Sequence, residues 1–181
     1  MLLAALIALP ALGTDLYVPA LPALTDSLGA QVDAGQFTLT AYFIGLAAGQ
    51  LAWGPLSDRY GRKPVLLVGL AAMLASSLAA VQAESVAGVA AARLVQGFAM
   101  SSGAVVTRSI IRDLYAHEKA ARLLSAVTVL FSLVPISAPL AGALLTEAGG
   151  WRAVFWTMAA VAAALLVAVS VRLSETVPAE R

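Results

Sequence analysis

The charged residues of this 181-residue chain fall in clusters, and the intervals between clusters are the length of a bilayer. Residues 34–57, 64–83, 123–146 and 153–171 hold no Asp, Glu, Lys or Arg; residues 85–107 hold only Arg93, and residues 1–25 only Asp15. A helix needs about 20 apolar residues to cross a hydrocarbon core of about 30 Å. Six segments qualify, at about 2–24, 36–56, 64–82, 86–110, 123–145 and 153–171. They have to be helices, because lipid offers an unpaired backbone N–H or C=O no partner. The predicted fold class is an all-α membrane protein. Its six spans form one bundle over residues 1–172, and residues 173–181 are a cytoplasmic tail or the start of a central linker. A cleaved signal peptide ending near Gly13 is the competing reading of the first segment. Met1-Leu2-Leu3 lacks the basic residues such a leader carries, which also suggests that the natural N-terminus lies upstream.

Composition removes most other functions. At 61% hydrophobic and 12% charged, the chain is far from the soluble average of about 45–50% and about 25%. A net charge of +1 leaves no basic footprint for nucleic acid. With no cysteine and one histidine there is no disulfide framework, no thiol nucleophile and no metal cluster, so no cofactor is expected. An intramembrane protease needs a Ser–His pair, paired aspartates or a zinc motif. The only histidine, His117, sits between spans, and Asp15 is the only acid inside one. The chain is read as a non-enzyme.

Orientation follows from the basic residues. One set of linkers holds Arg59, Arg62, Lys63, Arg108, Arg112, Lys119, Arg122, Arg172 and Arg181; the opposite set holds Arg152 alone. The positive-inside rule places the first set and both termini in the cytoplasm; the expected location is the cytoplasmic (inner) membrane. Trp151 and Trp156 are expected at the opposite interface.

The linker after span 2 reads Leu56-Ser57-Asp58-Arg59-Tyr60-Gly61-Arg62, and that after span 5 reads Leu145-Thr146-Glu147-Ala148-Gly149-Gly150-Trp151-Arg152. Both fit L-[ST]-[DE]-x-x-G followed by Arg, with Trp151 extra in the second copy. They lie three spans apart, so the copies face opposite sides of the membrane. A 3+3 inverted repeat is the plan of many secondary transporters. The competing reading is two short helix-to-helix turns that each need a small cap, an acid and a glycine.

Asp15 and Arg93 stand out because a charge at mid-membrane is costly and normally faces a partner or a wet cavity. Asp15 lies about 20 Å from one face and Arg93 about 10 Å from the other, at 1.5 Å per residue, so their depths coincide. Burial and a nearby guanidinium act in opposite senses on the aspartate's proton, so rearrangement of the cavity can load or release one. The alternatives are that Asp15 caps a helix broken near Pro19, and that Arg93 is statically paired with carbonyls or with Asp15.

Gly54-Pro55-Leu56-Ser57-Asp58-Arg59-Tyr60-Gly61-Arg62-Lys63-Pro64 is the most specific string. Gly54 suits a close helix approach, Pro55 weakens the end of span 2, and Gly61 suits a sharp turn. The string resembles the major facilitator superfamily signature G-x-L-x-D-x-x-G-R-[RK], matched at Gly54, Leu56, Asp58, Gly61, Arg62 and Lys63. By that resemblance the loop is a conformational latch in which Asp58 and Arg62 gate without touching substrate. Asp15-Leu16-Tyr17-Val18-Pro19-Ala20-Leu21-Pro22 is similar to D-x-Y-x-P-A-L-P of the bicyclomycin/chloramphenicol-resistance (Bcr/CflA) exporters. Arg93 and Gln96-Gly97 resemble the R-x-x-Q-G motif associated with proton coupling. Pro139 and Gly142 resemble the antiporter motif G-P-x-x-G-G, with Ala138 and Ala143 where the motif has glycine.

Gly45 and Gly49 read as a packing seam in span 2. Tyr17, Tyr42, Phe43, Gln50 and Gln96 are expected to line a cavity for an amphiphilic drug, or else to pack the core. The resemblance implies one six-helix half of a proton-coupled drug exporter, with membrane lipid, a small-molecule drug, a proton and a C-terminal half or second copy as partners. The alternative is a truncated or half-size membrane protein with no transport of its own, acting as an assembly or interaction module.

Overall fold

The computed structural model describes residues 2–115 and 134–175, with residues 118, 119, 122 and 125 between them. Its first span is broken into α1 (Leu2–Asp15), a 3₁₀ turn (Val18–Ala20) and α2 (Leu21–Ser27). The break has a local cause. Pro19 and Pro22 donate no backbone hydrogen bond, and in a straight helix their rings would collide with the carbonyls of Asp15 and Val18. Each proline instead sits at the start of a new turn.

The chain continues as α3 (Val32–Tyr60), α4 (Arg62–Gln82), α5 (Val86–Leu114), α6 (Val134–Gly149) and α7 (Trp151–Arg172). These helices overrun the apolar segments, because a helix does not end where its first charged residue enters the headgroup zone. Pro55 does not end span 2: α3 runs through it to Tyr60. Most of the expected span 123–145 before Val134, and His117, lie outside the described residues. Leu2–Ser27, α4, α5 and α7 are long and apolar enough to cross a membrane. α3 has the length, at 29 residues, but Gln36, Thr38, Thr40 and Gln50 reduce its apolarity. The described part of α6 is 16 residues.

Gly61 alone separates α3 from α4, and Gly150 alone separates α6 from α7. Both adopt positive φ, +94° and +70°, a region where a side chain would be strained, so a one-residue reversal demands glycine at each. Contacts place the turns at opposite ends of the bundle. Arg62 reaches Asp113 near the end of α5, and Lys63 reaches Ser170 near the end of α7. Trp151 reaches Ser27 at the end of α2, and Arg152 reaches Val81 and Ala83 at the far end of α4. That is the geometry of an inverted repeat.

α5 is the most enclosed helix and packs against α1, α3 and α4; α7 packs chiefly on α4 and α6, and α6 on α1. Small buried residues on α5, among them Ala90, Gly97, Ser101, Ser102 and Gly103, let its neighbours approach closely. Gly45 and Gly49 of α3 lie on this seam: a Cβ on Gly45 would collide with the Leu94 carbonyl, and one on Gly49 with Phe98 and Ser101. Gly54 differs from expectation, since a Cβ there would meet nothing among the described residues. α7 buries Val154, Phe155, Met158, Ala162 and Leu165 on one side and exposes Trp156, Val167 and Val171 on the other. A helix apolar all round belongs in lipid. Trp151 is corrected: it is buried in the bundle, and only Trp156 is exposed.

Candidate functional site

Proline breaks the first span beside the first third of α5, and Arg93 reaches both sides of the break, at Gly13 and Tyr17. Its side chain has no solvent exposure. The guanidinium lies between two aromatic rings, 4.1 Å from the Tyr17 centroid and 4.0 Å from that of Tyr42. Nη1 donates to the Gly13 carbonyl at 3.0 Å and to Gln96 Oε1 at 2.7 Å. Gln96 in turn donates to Ser77 Oγ at 2.8 Å, and Ser77 to the Met73 carbonyl at 2.7 Å. One directed chain of hydrogen bonds thus joins α1, α5 and α4. Nε and Nη2 have no partner among the described residues.

The tyrosines are fixed by their hydroxyls. Thr38 Oγ1 donates to the Gly35 carbonyl, so Tyr17 donates to Thr38, at 2.5 Å. Tyr42 on α3 donates to the Pro10 carbonyl on α1 at 2.8 Å. The two bonds pin α3 to either side of the break. Tyr42→Phe removes one pin and leaves the Pro10 carbonyl to Thr14 alone. The expected loss is about 1 kcal/mol, read as a lowered midpoint when folded chain is titrated with denaturing detergent.

Asp15 ends α1, partly buried, two residues beyond the carbonyl that holds Arg93. The two residues share a level but make no ion pair; among the described residues the ion pairs are those of Arg62. Tyr17, Tyr42 and Gln96 are buried around Arg93 rather than set on an open wall, whereas Phe43 and Gln50 are exposed on α3. Gly142 lies against the backbone of Leu16 at the break, where a Cβ would collide with the Leu16 carbonyl; Pro139 is partly buried one turn earlier.

At the Gly61 turn, Arg62 is nearly buried and gathers three partners: Ser57 Oγ at 2.6 Å, Asp58 Oδ1 at 2.5 Å and Asp113 Oδ2 at 3.0 Å. The first N–H groups of α4 have no side-chain cap of their own, and Glu175 supplies one. It accepts from Arg62 N at 2.9 Å and from Lys63 N at 3.1 Å, a carboxylate at the positive end of a helix. Lys63 Nζ donates to the Ser170 carbonyl at 2.9 Å. Sequence reasoning marked Ser57 only as a small residue of the repeated turn pattern and gave Ser77, Asp113 and Glu175 no role at a site, since no spacing rule singles these three out.

Residues 3–181 match the Major Facilitator Superfamily. The chain belongs to that superfamily. Its members are transporters, not enzymes. The chain is 33% identical over 153 residues to a bicyclomycin resistance protein homolog of Haemophilus influenzae, covering 84% of this chain and 38% of that protein. It is 38% identical over 148 residues to a chloramphenicol resistance protein of Pseudomonas aeruginosa, 81% of this chain and 35% of that one. Multidrug resistance protein D of Escherichia coli is 31% identical over 180 residues, 99% of this chain and 46% of its own. The chain spans less than half the length of these relatives. The same holds for solved structures. The human organic anion transporter MFSD10 aligns with a TM-score of 0.74 at 24% identity, over 98% of this chain and 47% of that one. The proton:xylose symporter XylE aligns at 0.74 and 17%, over 97% and 44%. These likenesses show the fold: a six-helix, multi-pass membrane half of the major facilitator type.

Proposed function

We propose that the chain is the N-terminal half of a proton-coupled exporter of small amphiphilic drugs in the cytoplasmic membrane, working by alternating access with a second six-helix half. The drug-resistance relatives, each more than twice as long as the stretch matched here, support the substrate class and the need for a partner half. The nine basic residues of the Gly61 side support a cytoplasmic position for that end and for both termini. On this reading Arg62, Asp58, Gly61, Lys63 and Gly54 form the cytoplasmic gate. The empty space beside Gly54, with Phe37, Ile44 and Leu51 exposed along the same helix, suits the seat of the partner half.

The observation that carries the coupling is a buried Arg93 with no carboxylate partner among the described residues, and an acid at a helix break two residues beyond its carbonyl ligand. Asp15 binds a proton when turned from Arg93 and gives it up when the break brings the two together. For one proton exchanged against one neutral molecule, 100 mV is worth about 2.3 kcal/mol, or about a 50-fold concentration ratio. The test is drug efflux from vesicles at several pH values, with this chain alone, with a second half, and with Asp15→Asn. Efflux is expected only with both halves, and Asp15→Asn is expected to abolish its response to a pH gradient. Unchanged pH dependence in Asp15→Asn would overturn the coupling. Efflux by the 181-residue chain alone would overturn the requirement for a partner. The opposite result, no efflux in either assembly, favours an interaction module, the second reading that the chain's share of its relatives also allows.

A further inference from the structure

The Gly61 and Gly150 turns share a sequence pattern, but different chemistry holds them. At the Gly61 turn the next residue is Arg62, whose ionic partners Asp58 and Asp113 are 65% and 32% exposed. Dissolved salt reaches both pairs and screens them. At the Gly150 turn the next residue is Trp151, and that insertion rotates the following arginine by about 100° around the helix. Arg152 therefore does not return to Glu147, the counterpart of Asp58. Its Nε and Nη2 donate to the Val81 and Ala83 carbonyls at 2.9 and 3.0 Å. These are orphan acceptors at the negative end of α4. The guanidinium also lies 4.2 Å from the Trp151 ring. The indole is 3% exposed, stands edge-on to Phe155, and donates from Nε1 to Ser27 Oγ at 2.6 Å. Among the described residues no carboxylate takes part.

We propose that Trp151 and Arg152 form a fixed tie joining the ends of α2 and α4 to the start of α7, while the ionic joint at Arg62 on the opposite face is the releasable one. The pseudo-symmetric half is thus mechanically asymmetric. Carbonyl and hydroxyl acceptors packed around a buried indole hold one end at any ionic strength, and loosening of the helices within this half is confined to the other. This does not depend on what the chain transports.

The test uses the full chain in detergent micelles, with Trp151→Phe, which keeps a ring and removes the N–H, Arg152→Gln, and Arg62→Gln as the comparison. Thermal unfolding is followed at 0.1 and 1 M salt together with local amide hydrogen exchange. Trp151→Phe and Arg152→Gln are each expected to lower Tm by about 2–4 °C, equally at both salt concentrations. Arg152→Gln is expected to speed exchange around residues 82–85 and not around 57–63, a local signature that general destabilisation does not give. The Arg62→Gln deficit is expected to shrink by at least half at 1 M, where the screening length falls to about 3 Å. The proposal is overturned if the two outer variants leave Tm and local exchange unchanged, if their deficits fade with salt, or if the Arg62→Gln deficit does not.

Discussion

Gly97→Leu keeps the bundle from closing. The helices α3 and α5 form the most extensive interface in the structure, and they meet backbone to backbone. A Cβ on Gly97 would collide with the Tyr42 carbonyl and press on the Leu46 N–H; across the seam, one on Gly45 would collide with the Leu94 carbonyl and the Phe98 N–H. None of these atoms ends a flexible side chain, so only separation of the helices relieves the overlap. Separation then breaks the Trp53 indole bond to the Phe98 carbonyl and withdraws Tyr42 from Arg93. Overpacking typically costs about 1–3 kcal/mol where side chains can shift. Here they cannot, and the expected loss is at least about 3 kcal/mol, a large part of a net stability of about 5–15 kcal/mol. Gly54→Leu is the matched control, since nothing lies within 4 Å of its Cβ position. Size-exclusion chromatography of detergent-extracted chain is expected to show a monodisperse peak for Gly54→Leu and little or none for Gly97→Leu. Equal yields would show that the seam tolerates bulk and that the close approach is not what joins these helices.

The features legible in the sequence are those set by lipid. Charge-free runs locate the spans because every charge has a solvation cost there, and the glycines of the two turns announce themselves by repeating in the same acid-bearing pattern. Gly45 and Gly49 were legible as a seam for the same reason that Gly54 was misread. Spacing shows that a helix can be approached closely but not whether it is, and nothing among the described residues approaches Gly54. The break at Asp15–Val18 was foreshadowed by Pro19. Arg93 and Asp15 were read in the sequence as lying at one depth, and in the structure Arg93 binds the Gly13 carbonyl, two residues before Asp15. Their actual relation was not legible, because depth along two helices leaves the rotation of each undetermined. The structure turns Arg93 toward Tyr17 and Tyr42 rather than toward the carboxylate. Trp151 was misassigned to the interface because a tryptophan near a span end is the same letter whether it faces headgroups or anchors a turn. A serine such as Ser77 escapes any sequence rule, since a membrane helix can satisfy a serine on its own preceding carbonyl.

Arg93→Ala is expected to destabilise the chain strongly and Arg93→Met hardly at all, and the difference between them separates what the side chain fills from what its charge does. The guanidinium occupies a space walled by two tyrosine rings, and truncation to alanine leaves that space empty. Large-to-alanine changes at buried sites cost about 2–5 kcal/mol. The Gly13 carbonyl and Gln96 Oε1 also lose their donor, at about 1–3 kcal/mol for each buried group left unsatisfied. Methionine refills most of the volume and adapts to ring faces. It loses the cation–π attraction, about 2 kcal/mol for each desolvated ring, and orphans the same two acceptors. Against those losses stands the removal of a buried charge that, among the described residues, has no carboxylate partner and whose Nε and Nη2 make no hydrogen bond. The desolvation of such an ion costs several kcal/mol. Replacing buried ionic groups by apolar side chains of similar volume is often neutral, so Arg93→Met is expected within about 1 kcal/mol of the parent chain and Arg93→Ala at least about 3 kcal/mol below it. Denaturing-detergent titration followed by circular dichroism measures both. If Arg93→Met is as unstable as Arg93→Ala, the charge itself holds α1, α3 and α5 together. If it is as stable as the parent, Arg93 is retained at a cost the fold does not require, and a role in transport is the reason left for a positive charge at the centre of a half that can fold without it.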